Sequence, residues 1–236
     1  MTKSACTIAR GLLAVPVLAG TLLAPESAVA QELGYYVRLA PGFAWTTVEH
    51  TKEVSVGQII GASITSSSSA ELSMHLSGGF RGEPRRQWFL GLEVEAIIYA
   101  PRSIEGEIEP VSPDAPGGID IGMWEYTNKN GMGFNIVLER ALTRSGQRLV
   151  LFAGVHRMRT EVASGGLERT GAFAEDRDLR SRWPFTGGAG AAWGPMHLRV
   201  SYFRSLMPWD FLQPELELRY RWRASGVSAS LGVEVF

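Results

Sequence analysis

Two stretches of the chain place reactive groups close enough to act together. His75, Leu76 and Ser77 set an imidazole and a hydroxyl two residues apart. A spacing of two puts both side chains on one face of a β-strand. A base beside a hydroxyl is the start of a nucleophilic site, which also needs an acid to orient the base. Glu93 and Glu95 share one face in the same way. Carboxylates in the middle of an apolar run are costly unless they are paired or wet. Arg38 and Arg199 lie on the polar lanes of other runs, as do Glu139 and His156.

Other chemistry is thin. There is no dense His/Cys/Asp cluster at metal spacing, and no metal or cofactor is expected. Gly187-Gly188-x-Gly190 lies inside a strand pattern, not at the strand–turn–helix junction a nucleotide site needs. It reads as a way of reducing bulk inside a narrow barrel. The acidic stretch Glu105–Asp114 reads as a solvated loop, with divalent-cation binding as the sharper alternative.

The elements that must position these groups follow from targeting and alternation. Lys3 and Arg10 precede an apolar run from Gly11 to Ala24, and Ala28-Val29-Ala30 stands before Gln31. That is the form of a secretory signal peptide over residues 1–30, leaving 31–236 as the mature domain. The one cysteine, Cys6, falls in the leader, so the mature chain is expected to have no thiol chemistry. Removing Lys3, Arg10 and Glu26 from 23 basic and 24 acidic residues leaves 21 and 23, a balance that gives no reason to expect nucleic acid. No mature run of 18 apolar residues exists to form a membrane helix. A membrane role then requires a barrel or peripheral binding.

Alternation supports the barrel. Val227, Ala229, Leu231, Val233 and Val235 form an apolar lane against Ser228, Ser230, Gly232 and Glu234. The same pattern recurs over 35–45, 72–80, 88–98, 132–139, 149–158, 183–193 and 196–202, giving eight membrane strands. Aromatics stand at the ends of the outer lanes: Tyr35, Trp45, Trp88, Trp183, Trp193 and Tyr202. Two interfacial girdles would need them there. Pro41 suggests a bulge in the first strand.

Connectors Arg81–Arg86, Ala141–Gln147 and Gly194-Pro195 are short. Thr46–Ser69, Pro101–Gly131, Thr160–Arg182 and Phe203–Gly226 are long and read as loops. Short periplasmic turns and long outer loops are the asymmetry of outer-membrane barrels. A ten-strand barrel, promoting Ile119–Tyr126 and Leu216–Trp222, is the rival. A soluble β-sandwich would alternate too. Arg38, His75, Glu93, Glu95 and Arg199 then face the lumen as a salt-bridged plug, with a narrow pore as the alternative. A turn centred on Pro84 would set His75 opposite Glu93. The aromatics Trp209, Phe211, Tyr220 and Trp222 suggest surface contacts from the last loop.

The stretch Trp183–Phe236 resembles the end of small outer-membrane barrels of the OmpA-like superfamily. The likeness lies in the glycine-rich strand Pro184–Gly190, the short turn, the strand His197–Tyr202 and the closing strand that ends on Phe236. The resemblance implies a bacterial outer-membrane location and insertion by the general barrel machinery, with Phe236 as its terminal signal. Outer-membrane lipid and lipopolysaccharide are the expected partners, and a monomer is expected. No peptidoglycan-binding domain is expected after the barrel. His75-Leu76-Ser77 also resembles the His-x-Ser arrangement of lipid A deacylases, with Gly78 where those enzymes carry asparagine. The expected role is structural or surface-interacting, with a lipid A-modifying enzyme and a narrow pore as alternatives.

Overall fold

The computed structural model describes residues 34–236 apart from 57–58, 86, 109–121, 144–145, 168–172, 214–215 and 236. The leader (residues 1–30), Phe236 and most of the acidic stretch lie outside the described residues.

All described elements are antiparallel strands: β1 (Gly34–Val56), β2 (Ile59–Arg85), β3 (Trp88–Tyr99), β4 (Ser103–Ile108), β5 (Gly122–Ala141), β6 (Gln147–Leu167), β7 (Phe173–Arg182), β8 (Phe185–Trp193), β9 (Met196–Gln213) and β10 (Leu216–Val235). Eight of them close a ring, in the order β1, β2, β3, β5, β6, β8, β9, β10 and back to β1. The two short strands do not add to it. β4 pairs with the part of β5 beyond β3, and β7 pairs with the part of β6 beyond β8. Of the segments that would make ten membrane strands, residues 122–126 and Leu216–Trp222 belong to the outer halves of β5 and β10, and residues 119–121 lie outside the described residues.

One hydrogen-bonded row can be followed round the ring from Glu93 through Asn135, Gly154, Thr186, Phe203, Gly226, Thr46 and Ser69. The β2–β3 register carries Ser69 to position 103, ten residues past the start. With eight strands, that stagger tilts each strand by about 40° from the barrel axis.

Alternation decides which side chains face in. Val37, Leu39, Phe43, Leu76, Leu92, Val94, Phe134, Ile136, Leu151, Val200, Leu231 and Val233 are exposed on the outside. Arg38, His75, Glu93, Glu95, Glu139, His156, Arg199 and Glu234 are buried within. At that tilt, Tyr35 and Trp193 lie near one end of the apolar band and Trp45 and Trp183 near the other, about 25 Å higher. That is the height of an outer-membrane apolar band. Trp88 joins the lower set, with the Arg140 guanidinium 5.3 Å above its ring. Tyr202 stands somewhat below the upper set, half exposed.

Three expectations are corrected. The long connectors are largely strand. β1 and β2 continue to Val56 and from Ile59, and β5 runs unbroken in sequence through Asn128–Gly131 with a register shift there. β6 and β7 take up most of Thr160–Arg182. Beyond the membrane the outward lane meets water and turns polar, as at Thr47, Glu49 and Thr51, while pairing continues. The β2–β3 turn is not centred on Pro84. β2 runs to Arg85 with a register shift between Gly82 and Arg85, and Gln87 takes φ 72° in the tight turn. A bulge can hold a residue that donates nothing to the ladder. At Pro41 there is no bulge, since the β1–β2 register is continuous through it.

Candidate functional site

The lumen is filled in tiers. In the central tier Glu93 is the hub. Arg199 donates to its two oxygens at 2.8 and 3.0 Å, and Arg38 donates at 3.1 and 3.3 Å. The Tyr36 hydroxyl donates at 3.0 Å and the Asn135 amide at 3.2 Å. Glu95, two residues on, meets His75 Nδ1 at 2.9 Å and the Asn135 amide at 2.9 Å. Arg38 and His156 stand further off, at 3.7 and 3.6 Å. Two guanidinium and two carboxylate groups balance, which is the condition for holding charge away from water.

Small residues make this crowding feasible. A Cβ at Gly154 would sit 2.3 Å from the Asn135 side-chain oxygen. One at Gly188 would sit 2.5 Å from the Phe152 ring, over which Arg199 packs at 5.0 Å. The glycine-rich inner lane of β8 therefore does reduce bulk.

A lower tier lies beneath the centre. Arg81 reaches Glu234 at 2.6 Å and Glu139 at 3.3 Å. Arg148 reaches the same two carboxylates at 3.4 and 3.3 Å, and His197 Nε2 stands 2.8 Å from Glu234. The sequence pattern places Arg81 in a turn and leaves Arg148 between a turn and the next strand. Extending the inward lanes by parity would have found them, since Arg81 is in phase with His75 and Arg148 with Phe152.

Above the centre, Glu71 accepts from Asn128 at 2.6 Å and from Thr46 at 3.5 Å. Arg182 donates to Tyr126, Ser205 and Thr160. Higher still, past the apolar band, the interior turns apolar: Val48, Ile104, Ile108, Trp124, Val162, Met207 and Trp222 form one cluster. Trp222 is fully buried there, so it is a core residue and not a surface contact. The Trp209 and Phe211 side chains lie outside the description. His50 stacks on Trp124 at 5.6 Å and meets the edge of Trp222 at 4.9 Å. Burial, with the Lys52 charge, pushes its imidazole down to about 3. This part of β1 stands well above Trp45, outside the membrane span.

Two chemical readings can be judged on this geometry. His75 does not face Glu93. Ser77 lies opposite Glu95, and Ile97 opposite His75. Glu93 is held instead by the two arginines, and Glu95 takes the imidazole. The hydroxyl that meets His75 is Ser73, 3.1 Å from Nε2, and not Ser77, whose oxygen has no hydrogen-bond partner among the described residues. Ser73, His75 and Glu95 thus follow the order hydroxyl, imidazole, carboxylate of a nucleophilic triad. The cavity beside it, lined by His75, Glu95, His156 and Ser228 among others, offers about 20 Å³ to the centres of water molecules. That admits one or two waters and no acyl chain. Among the described residues, no group of three or more His, Cys, Asp or Glu side chains could hold a metal ion.

A closed eight-stranded antiparallel ring with an apolar outer band between aromatic girdles is the architecture of an outer-membrane β-barrel. No family model matches the sequence. No curated protein matches it either. Among solved structures, the attachment invasion locus protein Ail of Yersinia pestis is similar at 10% identity, covering 79% of this chain and 98% of that one, with a TM-score of 0.26. Neisserial surface protein A is similar at 13% identity over 79% and 95%, with a TM-score of 0.31. The toluene transporter TodX of P. putida is similar at 8% identity over 84% and 90%, with a TM-score of 0.26.

Proposed function

We propose that the chain is a small outer-membrane barrel of the bacterial envelope, related to the OmpA-like superfamily, whose role is structural or surface-interacting. The observation that carries this is the filled lumen under a tall extension. Three polar tiers and an apolar cluster occupy the interior, while the barrel wall continues past the membrane as paired strands. Ion pairs brace that extension outside: Arg177 with Glu161 and Glu125, each at 2.7 Å, and Arg223 with Glu49 at 2.7 Å. Charged hydroxyl-rich walls of this kind offer a firm surface to partners outside the cell. The six aromatics Tyr35, Trp45, Trp88, Trp183, Trp193 and Tyr202 anchor the band at its two interfaces.

The test is a deletion strain carrying the gene on a plasmid. The protein should fractionate with the outer membrane and show heat-modifiable migration, and the lipid A mass spectrum should be the same with and without it. A protein found in the soluble periplasm overturns the reading.

The Ser73–His75–Glu95 order taken by itself favours a second reading, a hydrolase acting on lipid, which the small cavity beside it opposes. It predicts a changed lipid A mass, and labelling of Ser73 by a fluorophosphonate. No labelling and no mass change remove it.

A further inference from the structure

Outward-facing arginines are distributed unevenly at the upper edge of the band. Arg157 and Arg159 on β6 and Arg204 on β9 follow directly after the lipid-facing Val155 and Tyr202 in their lanes. At the strand tilt, all three stand within a few ångströms of the level of Trp45 and Trp183 along the axis. Val155 pairs with Phe185 and Phe185 with Arg204, so the arginines flank β8 on both sides. Trp183 and Phe185, 63% and 67% exposed, fill the space between them. At this level the other strands present Ile98, Leu72, Trp45, Val227 and Met132, none of them charged, while Lys129, in the β5 irregularity beside Arg159, is paired with Glu161 at 2.7 Å.

Their partners differ from those of the arginines higher up. Arg223, Arg221 and Arg177 meet Glu49, Glu53 and Glu161. Arg180 meets Asp178. Among the described residues Arg157 donates only to the Ser181 hydroxyl, at 3.4 Å. Arg159 and Arg204 carry no carboxylate among the described residues. Three cations at the headgroup level, without internal counter-ions and beside exposed aromatics, call for an anion supplied by the membrane itself.

We infer that the β6–β8–β9 face is a binding site for a phosphorylated glycolipid of the outer leaflet. Its phosphates are held by Arg157, Arg159 and Arg204, and its sugar and upper acyl chains lie against Trp183 and Phe185. Guanidinium forks suit phosphate oxygens in pairs, and an indole at the interface suits a sugar face above an acyl chain. The inference rests on the outer-membrane reading above.

The test is native mass spectrometry of the purified full-length barrel with diphosphoryl lipid A and with the same lipid stripped of its phosphates. Outer-membrane fractionation and heat-modifiable migration are checked first, and failure there rejects the outer-membrane reading itself. The wild type should bind the diphosphoryl form and discriminate against the stripped form by about tenfold or more. R157Q/R159Q/R204Q should lose that discrimination, while R221Q/R223Q, whose arginines are paired with carboxylates above the band, should keep it. If the triple variant does not fold, R159Q/R204Q serves in its place. Equal binding of the two lipids by the wild type, or undiminished discrimination by the variant, overturns the inference.

Discussion

Arg199 and Glu93 face each other across the lumen from β9 and β3, joined by two hydrogen bonds of 2.8 and 3.0 Å. Arg38 closes on the same carboxylate from β1. Glu93→Gln would leave two buried guanidinium groups without their shared partner. It should destabilise the barrel by about 3–5 kcal/mol, whereas R38M/E93L/R199M together should cost much less. Urea unfolding in lipid vesicles checks this. A loss under about 1 kcal/mol for Glu93→Gln would show that the cluster is not held by charge.

His50 gives a pH prediction in the extension. Its folded value, pushed down to about 3, lies below the unfolded value near 6.5. The unfolded chain therefore takes up a proton first as pH falls. The contribution from burying the neutral ring is complete above about pH 6.5 and declines as pH drops toward 3. The wild type should lose stability over that window, by up to about 4 kcal/mol from this group. His50→Phe should flatten the slope, and identical slopes for both proteins would contradict the assignment.

Much of the barrel was legible because its outer lanes are apolar. The lanes of β3, β9 and β10 face as alternation requires, and eight strands follow. The extension was not legible, because a strand in water on its outer face has no apolar lane to mark it. Glu49 and Thr51 look like loop residues until the pairing is known. In the lumen, alternation found which residues point inward but not which of them meet. Arg199 and Glu93 are 106 positions apart, and only the stagger of the ring brings them together. The β2–β3 register failed on Pro84, where the glycine-proline signal marks a bulge and the turn follows it. Glu234, on the inner lane of β10, is the lumen partner of Arg81 and His197.

Topology can be tested with single cysteines, since the mature chain is expected to have none. Ser66 is exposed on the outer part of β2, and Gln87 is exposed in the β2–β3 turn at the opposite end. S66C should react with a membrane-impermeant maleimide on intact cells. Q87C should react only after the outer membrane is permeabilised. The reverse pattern would invert the barrel, and labelling of both in sealed cells would remove the membrane span between them.

The central claim is that the lumen is sealed by its charge clusters and that the work is done on the outer surface. The most direct measurement is the conductance of the purified barrel in a planar bilayer. The wild type should give no discrete steps. Replacing Arg38, Glu93 and Arg199 together with serine hollows only the central tier, so the lower tier and the apolar cluster should keep that variant closed as well. Discrete steps from the wild type, at a frequency that scales with protein added, would contradict a sealed lumen and assign the chain to the pores.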